Sequence, residues 1–281
     1  MINFELLNTA EIEASVRVAL DEDIGSGDLT ANLVNDEQVS AKLICRDQAI
    51  LSGRPWFEAC FNRLDESISI DWLFGEGAQM HSNDVVCRIR GSARSILTAE
   101  RTALNFLQTL SGVATTTKKY VDAVAGTGCK ILDTRKTVPG LRKAEKYAVS
   151  CGGGHNHRIG LYDAVIIKEN HIHAAGSIYE ALKLATEGID SNVMVEIEVE
   201  SMEQLHLAIK YGARRVLLDN FSLSALPEAV KIAGDKIETE VSGNITLENV
   251  NNIACCGVNF VSIGALTKNI QAIDFSLLFI S

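Results

Sequence analysis

The sequence predicts an α/β protein in two parts: a small α+β domain of about 100 residues, then an incomplete TIM-like βα barrel. Three observations predict it. Between Gln38 and Arg90, apolar and polar residues alternate with the period of half-buried strands. From Lys130 onward, apolar runs alternate with helical segments at a spacing of roughly 20 to 25 residues, the rhythm of a parallel sheet. Those runs end in polar residues, at the face where βα barrels place their chemistry. No Gly-x-Gly-x-x-Gly follows an early strand, which weighs against a Rossmann fold. The expected division is 1–110 and 111–269, with an apolar tail, 270–281, packing back on the first domain.

Each element has a local reason. Residues 9–20 predict an amphipathic helix: Asn8 can cap it, Glu11 stands three positions on, and Ile12, Val16 and Leu20 fall at helical spacing. Residues 22–30 set two glycines among acids and read as a solvated turn. Strands are expected at 39–45, 68–72 and 85–89, with a helix over 55–64 whose proline suits the first turn. Residues 92–124 are mostly helical, with Leu97, Leu104, Leu107 and Val113 in an apolar stripe and Arg101 and Asn105 on a polar ridge. Barrel strands follow at 131–132, 164–167, 193–199, 215–218, 236–241 and 260–263, with helices at 177–187, 202–211, 225–233 and 247–254.

Composition excludes several classes. No window approaches the ~18–20 apolar residues that cross a bilayer, and the N-terminal residues lack the cationic start and apolar run of a signal peptide. The seven cysteines include no CxxC pair, which predicts reduced, mostly buried thiols in a cytoplasmic protein. Net charge is -10, yet residues 129–168 hold eight Lys/Arg against three Asp/Glu, so this stretch is +5 and the remainder -15. A cationic island on an anionic protein suits small polyanions, and does not suit nucleic acid, which wants a basic face across the domain.

The strand ends supply the chemistry. They are Asp133-Thr134-Arg135-Lys136, Lys168-Glu169-Asn170, Asp219-Asn220, Ser242-Gly243-Asn244 and Ser262-Ile263-Gly264. Along one strand Glu196, Glu198 and Glu200 alternate with Val195, Ile197 and Val199. Helices cover the outer face, so the glutamates point into the barrel, where a carboxylate needs a cation or a metal; Lys168 and Arg135 are the available partners. The glycine-containing turns after the last two strands stand where such barrels hold phosphate. The pairs His155/His157 and His171/His173 have metal-ligand spacing, but no histidine stands at a later strand end, so a metal-dependent hydrolase is disfavoured. Histidines beside Arg158 are expected to donate hydrogen bonds to an anion.

These stretches together resemble the quinolinate phosphoribosyltransferase family. The matching pieces are Glu22-Asp23 with Gly27-Asp28-Leu29-Thr30, residues 99–105, residues 133–140, Gly152-Gly153-Gly154-His155-Asn156-His157-Arg158, Lys168-Glu169-Asn170-His171, residues 196–199, Leu218-Asp219-Asn220, residues 240–244 and residues 262–267. They run in order over nearly the whole chain, and the combination is highly specific. The resemblance implies an N-terminal α/β sandwich, an incomplete βα barrel, and at least a homodimer in which one subunit closes its neighbour's site. It implies transfer of phosphoribose from phosphoribosyl pyrophosphate to quinolinate with loss of CO2, with Mg2+ and no organic cofactor. By that resemblance Arg135, His157 and Arg158 hold quinolinate, with Thr134, Lys136 and Lys168 nearby and Arg101 arriving from the partner subunit. Glu198 and Asp219 face the ribose hydroxyls and Mg2+, while Ser242, Gly243, Asn244, Ser262, Ile263 and Gly264 take the 5'-phosphate end. Lys136, Lys168, Glu198 and Asp219 are the expected catalytic set. The rival expectations are a relative acting on nicotinate or another heterocyclic carboxylate, and a non-catalytic anion-binding barrel.

Overall fold

The computed structural model describes residues 2–280, for Asn32 the backbone alone. In chain order, the first elements are α1 (Thr9–Ile24), β1 (Gln38–Cys45), β2 (Ala49–Ile50), α2 (Arg54–Leu64), β3 (Ser69–Trp72), β4 (Gln79–Met80), β5 (Val85–Ser92) and α3 (Ala93–Ala123). Then come β6 (Lys130–Leu132), α4 (Arg142–Cys151), β7 (Ala164–Ile167), α5 (Glu169–Ala175), α6 (Ile178–Thr186), β8 (Met194–Val199) and α7 (Met202–Lys210). The last are β9 (Arg215–Leu218), α8 (Leu226–Ala233), β10 (Glu238–Ser242), α9 (Val250–Ala254), β11 (Phe260–Ser262), α10 (Ala265–Lys268) and β12 (Phe275–Ile280). Contacts divide the chain into two compact units: Met1–Lys118, Thr137–Gly153 and Ala265–Ser281 form one, Lys119–Lys136 and Gly154–Gly264 the other.

The first unit is built on an antiparallel sheet, β12-β1-β5-β3. Asn8 Oδ1 accepts the Glu11 N–H at 3.2 Å, and α1 buries Ile12, Val16 and Leu20. It runs to Ile24, four residues past the expected end, because no breaker intervenes before Gly25 at φ 54°. At the start of α2, Gly53 has φ 109° and no side chain to cap with. The Glu76 carboxylate caps instead, accepting the N–H groups of Gly53 (3.0 Å) and Arg54 (2.6 Å). In α3, Leu104, Leu107 and Val113 are buried, whereas Leu97 is 37% exposed and leaves the expected stripe. The tail crosses α3 at Gly112, where a Cβ would lie 2.2 Å from the Gln271 carbonyl oxygen. Only glycine permits that approach. Beyond it, β12 pairs with β1 from Ser40 opposite Ile280 to Cys45 opposite Phe275.

Helix α4 lies where the sequence pattern predicts no helix. Its buried residues include Glu145 and Lys146, and charges on an inner face erase the apolar stripe that announces a helix. Tyr147 packs against Trp56 and Phe4, with ring centroids 5.9 and 6.3 Å away. That packing gathers residues 137–153 into the sheet unit, although the division at 110 and 111 follows chain order and assigns them to the barrel. Glu145 accepts the Val138 N–H, and burial pushes its carboxyl up to about 7 from 4.5. The folded protein therefore favours its protonated form. Its contribution is greatest below the unfolded pKa and is lost as pH rises from about 4.5 through about 7. Glu145→Gln, which cannot ionise but still accepts from Val138, should match the parent near pH 4.5 and exceed it at pH 8 by on the order of 1–2 kcal/mol. Unfolding curves at the two pH values check this; a variant weaker than the parent at pH 8 refutes it.

The second unit is a six-stranded parallel sheet in the order β6-β11-β10-β9-β8-β7. Among the described residues β6 and β7 do not pair, so the barrel is incomplete. His155 continues the β6 edge through a bridge with Leu132. Helices α6 to α9 alternate with the strands and bury one face each, for example Ile178, Ala181 and Leu182 in α6. Ser177 and Ser201 cap α6 and α7 by accepting the N–H groups of Glu180 and Gln204. Helix α5, too short to show a period, was also unforeseen.

Candidate active site

Every residue singled out at a strand end lies in the second unit; Arg101 does not. It stands exposed on α3, in the first unit.

Asp133 closes β6 and is fully buried. Its two oxygens accept the Asn156 side-chain amide (2.7 Å) and the His157 N–H (2.8 Å), which fixes the arm after the glycine triplet against the end of β6. Asp163 secures the other end of the arm, accepting the N–H groups of Ile159 and Gly160 at 2.7 and 2.8 Å. Between these anchors, Arg158 donates through Nη1 to the Ala164 carbonyl at 2.9 Å. Its Nε is buried with no hydrogen-bond partner among the described residues. Burial lowers the Arg158 pKa from its usual value, and the positive charge of Arg135 lowers it further. Two arginines held near each other, one with an unused donor, form a site that favours an anion.

A second cluster stands at the ends of β7, β8 and β9. Lys168 Nζ lies 2.6 Å from Glu198 Oε2. Carboxylate oxygens of Glu198, Glu200 and Asp219 lie within 4.8 Å of one another. Burial raises the Asp219 pKa, Glu198 raises it further, and Lys168 and Lys136 oppose that shift. Lys136, Lys168 and Glu198 thus all bear electrostatically on Asp219. Asp219 is followed by Asn220, which holds φ 57° and donates its side-chain amide to Asp219 at 3.2 Å. At the end of β10, Gly243 and Asn244 also take positive φ, 92° and 51°. At the end of β11, a Cβ on Gly264 would come within 2.9 Å of Lys136 Cδ and 3.4 Å of Thr134 Oγ1. Glycine thus brings the turn after Ser262 and Ile263 against the residues after β6.

The alternation in β8 is expressed as a gradient: Glu196 is buried, Glu198 intermediate and Glu200 exposed. The expected partners divide. Lys168 pairs with Glu198, but Glu196 meets His157, Nε2 to Oε2 at 3.0 Å. Glu240 of β10 lies 3.6 Å from the same nitrogen, and Arg215 Nη1 lies 4.0 Å from Glu240. Burial raises the pKa of both glutamates, and Glu196 raises that of Glu240 further, so the doubly charged pair is disfavoured. The expectation that His157 donates to an external anion meets a different geometry: Nε2 faces these carboxyls and Nδ1 accepts the Arg158 N–H at 2.7 Å. His171 likewise turns back, its Nδ1 accepting the Lys168 N–H at 3.0 Å. Nothing in the sequence pattern assigns a role to Arg215, Asn156 or Asp163. Arg215 had one usable signal, since an arginine opening an apolar strand next to one carrying Glu196 is its cross-strand neighbour.

The donor sets match two chemistries: guanidinium forks for carboxylates, and clustered carboxylates for a hard divalent cation. Comparison with known proteins shows the family. The family model described as "Quinolinate phosphoribosyl transferase, N-terminal domain" matches residues 28–111, and its C-terminal counterpart matches residues 113–278. A Bacillus subtilis protein described as a probable nicotinate-nucleotide pyrophosphorylase [carboxylating] is 41% identical over 257 residues, covering 91% of this chain and 89% of that one. A Nicotiana tabacum quinolinate phosphoribosyltransferase [decarboxylating] is 38% identical over 290 residues, covering 96% of this chain and 82% of its own. The solved structure of a nicotinate-nucleotide pyrophosphorylase from Francisella tularensis superposes with a TM-score of 0.95 at 48% identity, over 97% of each chain. With both halves matched from residue 28 to residue 278, and with such relatives along most of its length, the chain belongs to the quinolinate phosphoribosyl transferase family.

Proposed function

We propose that this protein joins quinolinate to phosphoribosyl pyrophosphate and releases CO2, giving nicotinate mononucleotide and pyrophosphate, a step of de novo pyridine nucleotide synthesis. The observation that carries this is the neighbouring pair Arg135 and Arg158, with the Arg158 Nε donor unused. A pyridine dicarboxylate brings two planar anions to two forks, and each fork binds a carboxylate in bidentate fashion. The ring nitrogen attacks the ribose C1 while the C1–O bond breaks, and that electron pair leaves on pyrophosphate. Lys136 and Lys168 lower the cost of the departing charge, and Glu198 and Asp219 stabilise the cation-like ribose carbon. The quaternised ring then takes up the electron pair from the broken C–CO2 bond, and a proton replaces the carboxyl. No organic cofactor is required.

Glu198, Asp219 and the adjacent Glu200 fit Mg2+ in donor type and spacing; when bound, the ion neutralises pyrophosphate charge. The turns at Ser242-Gly243-Asn244 and Ser262-Ile263-Gly264 supply N–H groups for the 5'-phosphate. We assign the working unit as a homodimer in which exposed Arg101 serves the partner subunit's site, and the compartment as the cytoplasm, where the seven free thiols are stable. Among the described residues no helix is long and apolar enough to cross a membrane.

Purified protein with quinolinate, phosphoribosyl pyrophosphate and Mg2+ should release CO2 and pyrophosphate in equal amounts. Pyrophosphate release with nicotinate but not with quinolinate would transfer the assignment to the nicotinate reading. Binding of both substrates with no release would leave an anion-binding barrel.

A further inference from the structure

Behind the arginines lies a cluster that the transfer chemistry does not use: His157, Glu196, Glu240 and Arg215. The first three side chains are 7%, 0% and 1% exposed, and one ligand atom from each lies within 4.8 Å of the others. That composition invites a metal, but the hydrogen bonds oppose one. His157 Nδ1 accepts the Arg158 N–H at 2.7 Å, so this nitrogen carries no proton and the ring hydrogen is on Nε2. A metal on Nε2 would force the proton to Nδ1, against that N–H. The nearby Arg215 guanidinium adds a positive charge to the same place. With the hydrogen on Nε2, both ring nitrogens are satisfied: the hydrogen points at Glu196 Oε2, 3.0 Å away, and Nδ1 accepts from Arg158.

The imidazole is therefore a strut between the barrel interior and the peptide from which Arg158 projects. The geometry points to Glu196 as a positioning residue for recognition of the dicarboxylate, acting through His157 to fix the direction of Arg158, with Glu240 and Arg215 holding Glu196 in place. This rests on the functional reading above and adds the element that orients its key arginine. The rest of the arm is consistent with it. Asp133 holds Asn156 and the His157 N–H, and Ala164 holds the Arg158 guanidinium, while the ring carries a hydrogen bond from the arm to β8. Phosphoribosyl pyrophosphate is assigned to Lys168, Glu198, Asp219 and the phosphate turns; the His157–Glu196 hydrogen bond involves none of these, although Glu240 beside it bonds the Ser262 side chain. Loss of the strut should thus affect one substrate and spare the other.

The test compares Glu196→Leu, close in size but without an acceptor, with Glu196→Gln, whose carbonyl oxygen still accepts from Nε2. The leucine variant should raise the KM for quinolinate by about tenfold or more while the KM for phosphoribosyl pyrophosphate stays within about twofold. The glutamine variant should restore the parent's values. Equal rises in both KM values, an unchanged quinolinate KM, or a glutamine variant as impaired as the leucine one would each overturn the proposal. If the leucine variant does not fold, nitrogen NMR of the His157 ring in the parent protein decides. The Nε2–H tautomer upholds the strut and the Nδ1–H tautomer removes it. A parent protein that ignores quinolinate would sink the functional reading alone, because the tautomer measurement would still decide the strut.

Discussion

Arg135→Ala should reduce kcat/KM for quinolinate by about 10²–10⁴ while leaving the folded protein intact. A hydrogen bond to a charged group contributes about 1.5–3 kcal/mol, and a guanidinium makes two to one carboxylate. About 1.4 kcal/mol is tenfold in rate, so losing the fork alone accounts for two decades or more. Misorientation of the ring nitrogen toward ribose adds to that. Stability should change little, because Arg135 is half-buried at a strand end and its charge already disfavours the charged form of Arg158. Arg135→Lys should not rescue activity, since an ammonium restores the charge without the fork. Unfolding temperature and steady-state kinetics on the same preparations separate these effects. An alanine variant turning over quinolinate within tenfold of the parent would show that the dicarboxylate binds elsewhere.

The parts of this site that are legible in the sequence follow from local periodicity. A strand with period two dictates that Glu196, Glu198 and Glu200 share a face; the neighbouring apolar residues dictate which face. Parallel strands dictate that Asp133, Lys168, Asp219, Ser242 and Ser262 come to the same end of the barrel. Pairings across the barrel are not local, and there the sequence misleads. Lys168 and Arg135 were natural partners for the inward acids by charge, yet Glu196 found His157. That contact depends on how far the arm after the glycine triplet folds back, which Asp133 decides through two hydrogen bonds no periodicity encodes. Helix α4 shows the same limit from the other side. Its inner face carries Glu145 and Lys146, so the burial that defines it runs against the composition rule used to find it.

Exchanging the charges of Lys168 and Glu198 should leave the protein folded and inactive, with turnover reduced by at least about 10³. Their ion pair is 2.6 Å long, but the lysine side chain is 52% exposed, and exposed pairs contribute only about 0–1 kcal/mol to stability. The pair is thus a weak reason, by itself, for the fold to keep either residue. If it were only a strap between β7 and β8, Lys168→Glu combined with Glu198→Lys would rebuild it and restore activity. The proposed chemistry forbids that rescue. A carboxylate at position 168 would repel the leaving pyrophosphate, and a lysine at 198 would sit beside Asp219, where the ribose carbon becomes cation-like. It would also break the oxygen cluster formed with Glu200 and Asp219. Single variants should divide the roles: Glu198→Gln should reduce kcat by about 10²–10³ and raise the Mg2+ concentration needed for half-maximal rate, with quinolinate KM nearly unchanged. Recovery of even a tenth of parental turnover in the charge-exchanged protein would mean that the pair holds two strands together and that the transferred phosphoribosyl group meets other residues.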